Sequence, residues 1–158
     1  MSQPDSAQAW PDLAGRLIKD DAGVRHVLPV RVYFEDTDFS GLVYHGSYVR
    51  WCERGRSDFL RLLGNSHRDL DAGAEAREPA AFVVRRMTLD FLRPAHIDDV
   101  LNVRTRVKDI GAATLTLDQA VYRDDLCLFE AEVMVVLVGR SGKPQRLGRM
   151  IRDALSRT

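Results

Sequence analysis

The run Glu35-Asp36-Thr37-Asp38-Phe39-Ser40-Gly41 sets two carboxylates two residues apart in a turn, just ahead of a segment with helical periodicity. Two chemistries compete for such an arrangement. Asp36-x-Asp38-x-Ser40-Gly41-x-Val43 matches the first eight positions of a calcium loop, where alternate oxygens surround the ion and glycine makes the bend. The match fails at the twelfth position, where Ser47 replaces the bidentate glutamate, and the segment before the loop alternates as a strand instead of forming an entering helix. The competing chemistry uses the helix start, whose unpaired N–H groups and partial positive charge stabilise a carbonyl oxygen that is becoming an oxyanion. Asp38 sits just upstream. With a free aspartate pKa of about 3.9 it is ionised at neutral pH, equipped for acyl chemistry either as nucleophile or as general base on water.

Two elements must position this turn. Val30, Val32 and Phe34 alternate with Arg31, Tyr33 and Glu35, the period of a strand with one aliphatic face. Beyond the turn, Tyr48, Cys52, Gly55, Phe59 and Leu62, flanked by Val49, Trp51, Leu60 and Leu63, fall on one helical face. Glu53, Arg54, Arg56, Asp58 and Arg61 are expected on the other side, and Gly64-Asn65 is the stop signal. A glycine within a helix costs about 1 kcal/mol relative to alanine, so Gly55 on the apolar face predicts very close packing against the helix backbone, as from a sheet wrapped around it.

Glu35-Asp36-Thr37-Asp38-x-x-Gly41-x-Val43-Tyr44-His45-x-x-Tyr48, followed by Glu53 and Arg56, resembles the signature of the hotdog-fold acyl-CoA thioesterases. The branch it is most similar to is that of the Tol-Pal-associated enzymes, relatives of 4-hydroxybenzoyl-CoA thioesterase. A looser likeness runs through Phe82-Val83-Val84-Arg85 and Pro94-Ala95 to about Gly139. The resemblance implies an α+β hotdog fold, an antiparallel sheet wrapped around one long central helix, and hydrolysis of acyl-CoA to free acid and CoA without metal or other cofactor. It implies that Asp38 is the catalytic carboxylate and that the N–H at His45 points at the thioester carbonyl. Gly41, Val43, Tyr44 and Tyr48 then belong to the substrate site. Such relatives form dimers with shared pockets, so a homodimer or homotetramer is expected. Phe39 and Ser40 stand where the family often has small residues. A non-hydrolytic module binding acyl-CoA or an acyl carrier protein near the envelope machinery is the alternative.

The remaining chain supplies walls and ends. With 158 residues and 23 basic against 23 acidic side chains, one domain without a general basic field for nucleic acid is expected. Cys52 and Cys127 are far apart, no apolar run reaches membrane-span length, and no secretion signal opens the chain, so a cytoplasmic location is expected. Residues 1–25 read as an extension, in which Trp10, Leu13, Ala14, Leu17 and Ile18 share a helical face, and Pro29 argues for an edge or a position just outside the ladder. Residues 26–140 form the catalytic domain. A polar linker from Gly64 to Pro79 is a candidate lid or pocket wall. In the strand from Phe82 to Leu92, Arg85 shares parity with Val83, Met87, Leu89 and Phe91; its stem is expected along the core edge, with contact to a carboxylate or CoA phosphate as the functional option. Strands around Leu101–Val107, Ala113–Val121 and Leu126–Val138, joined by short turns, read as an antiparallel meander. Residues 141–158 are a basic tail with a helical stripe of Leu147, Met150, Ile151, Ala154 and Leu155, expected to dock on its own domain, bind an acidic partner, or touch the inner membrane peripherally. His26, His67 and His96 have no metal-ligand spacing, and no zinc site is predicted.

Overall fold

The sheet forms because four long alternating segments each present one aliphatic face, which the strongly apolar helix can cover. In the computed structural model, which describes residues 13–64 and 78–158, the element order is β1 (Arg16–Asp20), β2 (Gly23–Arg31), a 3-10 turn (Phe34–Asp36), α1 (His45–Leu62), β3 (Ala80–Phe91), β4 (Val100–Ile110), β5 (Thr114–Arg123), β6 (Leu126–Gly139) and α2 (Arg149–Ser156). The six strands make one antiparallel sheet in the order β1-β2-β4-β5-β6-β3. The expected meander is its centre, and the sheet lies around α1 as the hotdog resemblance implies. Trp51, Cys52 and Phe59 of the helix enter one core with Val103, Val121, Phe129 and Val133 of the strands.

Gly55 faces the sheet as its position predicts. A Cβ added there would stand 3.1 Å from Val103 Cγ1 and 3.4 Å from both Gln119 Nε2 and Thr105 Oγ1. The helix ends on Leu63, after which Gly64 takes φ +87° and donates to Arg61 O.

Four expectations are corrected. The segment before Gly23 is not helical where it is described: Arg16–Asp20 pairs with β2 through a two-residue turn, from Asp20↔Gly23 to Arg16↔Val27. A short lone helix is costly to nucleate, whereas the free edge of β2 satisfies the same backbone groups; Trp10 lies outside the described residues. Second, the strand alternation stops after Val32, and Phe34 is 81% exposed. The Tyr33 N–H donates to the Asp36 carboxylate at 2.9 Å, which folds the chain into the 3-10 turn.

Third, Arg56 is buried, not solvated. It stands four residues after Cys52 and three before Phe59, so helical geometry puts it on their face. Fourth, β3 carries a register shift between Val84 and Arg86. The extra residue is Arg85, which is exposed, and the shift separates the parity of Val83 from that of Met87 and Leu89. Pro29 stands inside the ladder, opposite Asn102 of β4, although β1 stops before reaching its other side.

The tail docks on its own domain. Leu147, Ile151, Ala154 and Leu155 are buried, Met150 is exposed, and Arg152 Nη2 donates to Gly111 O at 2.8 Å. The proposed lid falls largely on residues 65–77, outside the described residues.

Candidate active site

The acidic turn divides its two carboxylates between different tasks. Asp36 is buried and structural: beyond the Tyr33 contact, its carbonyl accepts from Tyr44 N at 2.8 Å and from Ser47 Oγ at 3.3 Å, which ties the turn to the start of α1. Asp38 is exposed. The chain reverses around it because Asp38 N donates to Leu42 O, Gly41 N donates to Asp38 O, and Gly41 adopts φ +81°, a conformation in which a side chain is strained. With Asp36 folded back and Asp38 turned outward, the two carboxylates do not form the alternating ring of a calcium loop.

One oxygen of Asp38 is engaged. Oδ1 accepts from the Ser40 hydroxyl at 2.5 Å and from the Ser40 N–H at 2.9 Å. The Ser40 hydroxyl, then its amide, and further the nearby His45 imidazole hold the Asp38 pKa below the ordinary carboxylate value. Among the described residues Oδ2 has no hydrogen-bond partner, so it is available to water or substrate.

His45 is the first residue of α1, with Tyr44 at the N-cap. No side chain caps this end and its first turn holds no acidic residue; the Ser47 N–H donates to Tyr44 O at 2.9 Å, which leaves the N–H groups of His45 and Gly46 without a partner among the described residues. The Tyr44 ring folds over the helix start, with its centroid 4.3 Å from that of His45 and its Cε1 where a Cβ on Gly46 would come within 2.7 Å. Gly46 is therefore a positioning residue that the sequence did not single out; its place directly after the Tyr-His pair is the signal.

A cleft of about 290 Å³ opens beside this helix start, lined by Leu42, Val43, His45, Tyr48, Phe91 and the Leu92-Arg93-Pro94 connection. Tyr48 forms its inner wall, stacked on Phe129 at 5.1 Å and edge-on to Phe91 at 5.8 Å, while its hydroxyl accepts from Ala95 N at 3.2 Å. Burial raises the Tyr48 pKa. His45 meets the same Phe91 ring at 6.3 Å. Of the expected site residues, Val43, His45 and Tyr48 line this cleft, while Asp38, Gly41 and Tyr44 stand at the same end of α1 without lining it. Arg85 does not join them: it lies at the bulge of β3 and does not line this cleft. From the sequence Phe91 and Leu92 are only the end of a strand; pairing with β6, Phe91↔Phe129, carries that end to the site.

Other chemistry is poorly supported. Burial pushes the Cys52 thiol up to about 12, which removes it as a nucleophile at neutral pH. Among the described residues no group of three or more His, Cys, Asp or Glu converges as metal ligands. A larger concavity, about 570 Å³, lies elsewhere, among Arg104, Asp118 and Glu130 on the polar face of the sheet.

The chain is similar to known proteins over most of its length. The thioesterase superfamily profile matches residues 40–140. The acyl-CoA thioester hydrolase YbgC of Escherichia coli O6:H1 is 41% identical over 125 residues, covering 78% of this chain and 90% of its own. The acyl-CoA thioesterase YbgC of Haemophilus influenzae is 39% identical over 110 residues, covering 70% and 78%. Among solved structures, a probable thioesterase from Bartonella henselae matches with a TM-score of 0.75 at 42% identity, over 78% of this chain and 98% of that one. The 1,4-dihydroxy-2-naphthoyl-CoA thioesterase of Synechocystis, at 21% identity and a TM-score of 0.75 over 84% and 96%, shares the fold. Sequence identity at this level over most of the chain, together with the family match, places the protein: it belongs to the thioesterase superfamily and is a thioester hydrolase.

Proposed function

We propose that the protein hydrolyses acyl-CoA thioesters to free acid and CoA, with Asp38 as nucleophile or general base and the start of α1 as the oxyanion site. The observation that carries this reading is the pairing of an exposed, readily ionised Asp38 with the uncapped N–H groups at His45. As a base, Asp38 takes a proton from water while the water oxygen bonds to the thioester carbon. The carbonyl electrons move to oxygen, facing the helix N–H groups, and return as the carbon–sulfur bond breaks and the CoA thiolate leaves. As a nucleophile, Asp38 itself bonds to that carbon, expels the thiolate and leaves an anhydride that water opens. The YbgC relatives are named for acyl-CoA chemistry, which supports CoA esters as the substrate class.

Gly41, Val43, Tyr44 and Tyr48 shape the acyl end of the site. The Tol-Pal-associated branch rests on the run from Glu35 to Tyr48, and a cytoplasmic setting with peripheral contact at the inner membrane goes with it. In that setting the basic side chains of the tail make the contact, because its apolar stripe is occupied by the domain. A homodimer is supported by β3, a 12-residue strand that among the described residues pairs on one side only, with Val83 and Val84 exposed. Size-exclusion chromatography showing only monomer would remove the shared site. A thiol-release assay across a panel of CoA esters is the test: loss of most release in Asp38→Asn is expected, and tight CoA-ester binding without release selects the non-hydrolytic alternative.

A further inference from the structure

A second cleft of about 300 Å³ opens between the later half of α1 and the first half of β3. At a rise of ~1.5 Å per residue, Arg56 stands roughly 16 Å along the helix from His45. Phe82, Val84, Leu117 and Val135 give this cleft apolar walls, and Glu53, Arg56 and Ser57 are its polar side chains.

Arg56 is the unusual member. It is 8% exposed, yet among the described residues its guanidinium makes a single hydrogen bond, from Nη1 to Gln119 Oε1 at 2.8 Å, and no ion pair. Gln119 offers a neutral oxygen, and its amide is spent on Cys52 O and Thr105 Oγ1, both at 2.9 Å. The other Arg56 nitrogens are not among the sealed polar atoms that lack a partner, so they meet accessible space, and the space beside Arg56 is the cleft. The one carboxylate whose charge acts on it, that of Glu53, makes no ion pair with the guanidinium; a buried cation so weakly compensated is costly, and its free N–H fork matches the two oxygens of a carboxylate.

We propose that the cleft between α1 and β3 binds a medium-chain carboxylic acid, with its apolar tail along Phe82, Val84 and Val135 and its carboxylate on Arg56. Burial, which holds the Arg56 pKa below its ordinary value, gives the cation a further reason to favour an anion. The volume sits at the low end for small-ligand pockets, which suits a chain of modest length. Glu53 also lines the cleft and its charge favours the Arg56 cation, but it is exposed and makes no hydrogen bond or ion pair with the guanidinium, which leaves the fork for a ligand. A carboxylic acid is also what thioester hydrolysis releases, so the inference rests on the proposed function for the origin of its ligand, though binding here requires neither Asp38 nor turnover.

Titration calorimetry of the full chain with octanoate, octan-1-ol and octylammonium tests it. Octanoate is expected to bind at least tenfold more tightly than octan-1-ol, and octylammonium not at all. Arg56→Gln should erase that preference, and Arg56→Lys should restore part of it. Phe82 is a partly buried wall of the cleft and is not one of the exposed valines of the β3 edge, so Phe82→Ala should keep the circular dichroism spectrum and weaken octanoate at least tenfold. Equal affinity for octanoate and octan-1-ol, absence of octanoate binding, or affinity unchanged in either Arg56→Gln or Phe82→Ala overturns the proposal. Octanoate binding with no thiol release from any CoA ester would sink the hydrolase reading alone; hydrolysis without carboxylate preference would sink this one alone.

Discussion

His26 Nε2 lies 2.7 Å from Asp58 Oδ2, joining β2 to α1 through an imidazole with no exposed surface. Its Nδ1 is buried without a partner, so the arrangement suits a neutral ring that donates its one N–H to the carboxylate. Burial lowers the His26 pKa and outweighs the opposing pull of Asp58, with Arg61, which donates to Asp58 Oδ1 at 2.5 Å, adding to the lowering.

The sign of the resulting pH dependence follows. Below the ordinary histidine pKa of about 6.5 the unfolded chain binds a proton that the folded chain resists, so stability present above that pH is lost as pH falls toward the folded value. Between the two values the slope approaches ~1.4 kcal/mol per pH unit. Thermal melts from pH 7.5 to 5 should show this decline, and His26→Gln should flatten it. Asp58 adds a separate loss only at lower pH. Its own burial raises its pKa, but the hydrogen bonds from Arg61 and His26 outweigh that and leave it lowered.

Asp38→Asn should leave the melting temperature within a degree or two, because the side chain is exposed, and lower turnover by about 10²–10⁴-fold, the range of a lost acid–base group. His45→Ala keeps the backbone amide and is expected to cost less than tenfold; a loss near 10²-fold would give the imidazole a direct role.

Ser40→Ala removes the first cause of the lowered Asp38 pKa. The acid limb of kcat/KM, expected below the ordinary value of 3.8 in the wild type, should move to higher pH while activity at pH 7 changes little. An unmoved limb would detach it from Asp38.

Gly55→Ala gains helix propensity of about 1 kcal/mol but places its Cβ 3.1 Å from Val103 Cγ1. Val103 is fully buried in a strand with neighbours on both sides, so it gives way poorly. Overpacking of this kind costs about 1–3 kcal/mol, and a net fall in denaturation midpoint is expected.

Gln119→Leu should destabilise the fold by about 2–3 kcal/mol, measured by urea unfolding. It strips Arg56 of its one acceptor and removes the donor to Cys52 O.

Much of the fold was legible because its signals are local. The strands of the meander alternate, α1 has a continuous apolar face, and Gly64 marks its end. The clustering of Asp38, Gly41, Tyr44, His45 and Tyr48 was legible too, since one turn and the first helical turn carry them all. Gln119 was the quiet omission: it shares the parity of Leu115, Leu117 and Val121, and its polarity hid a core position.

The sequence by itself therefore determined which residues turn, which coil and which alternate, because those depend on neighbours a few positions away. Only the tertiary structure decided that residues 16–20 pair as a strand, that Arg85 is extruded at a bulge, and that Phe91 reaches the site through Phe129. The same holds for the inward turn of Arg56 toward Gln119, 63 positions away. Each of these follows from satisfying a backbone or buried polar group with a distant partner, and no local period records where that partner will be.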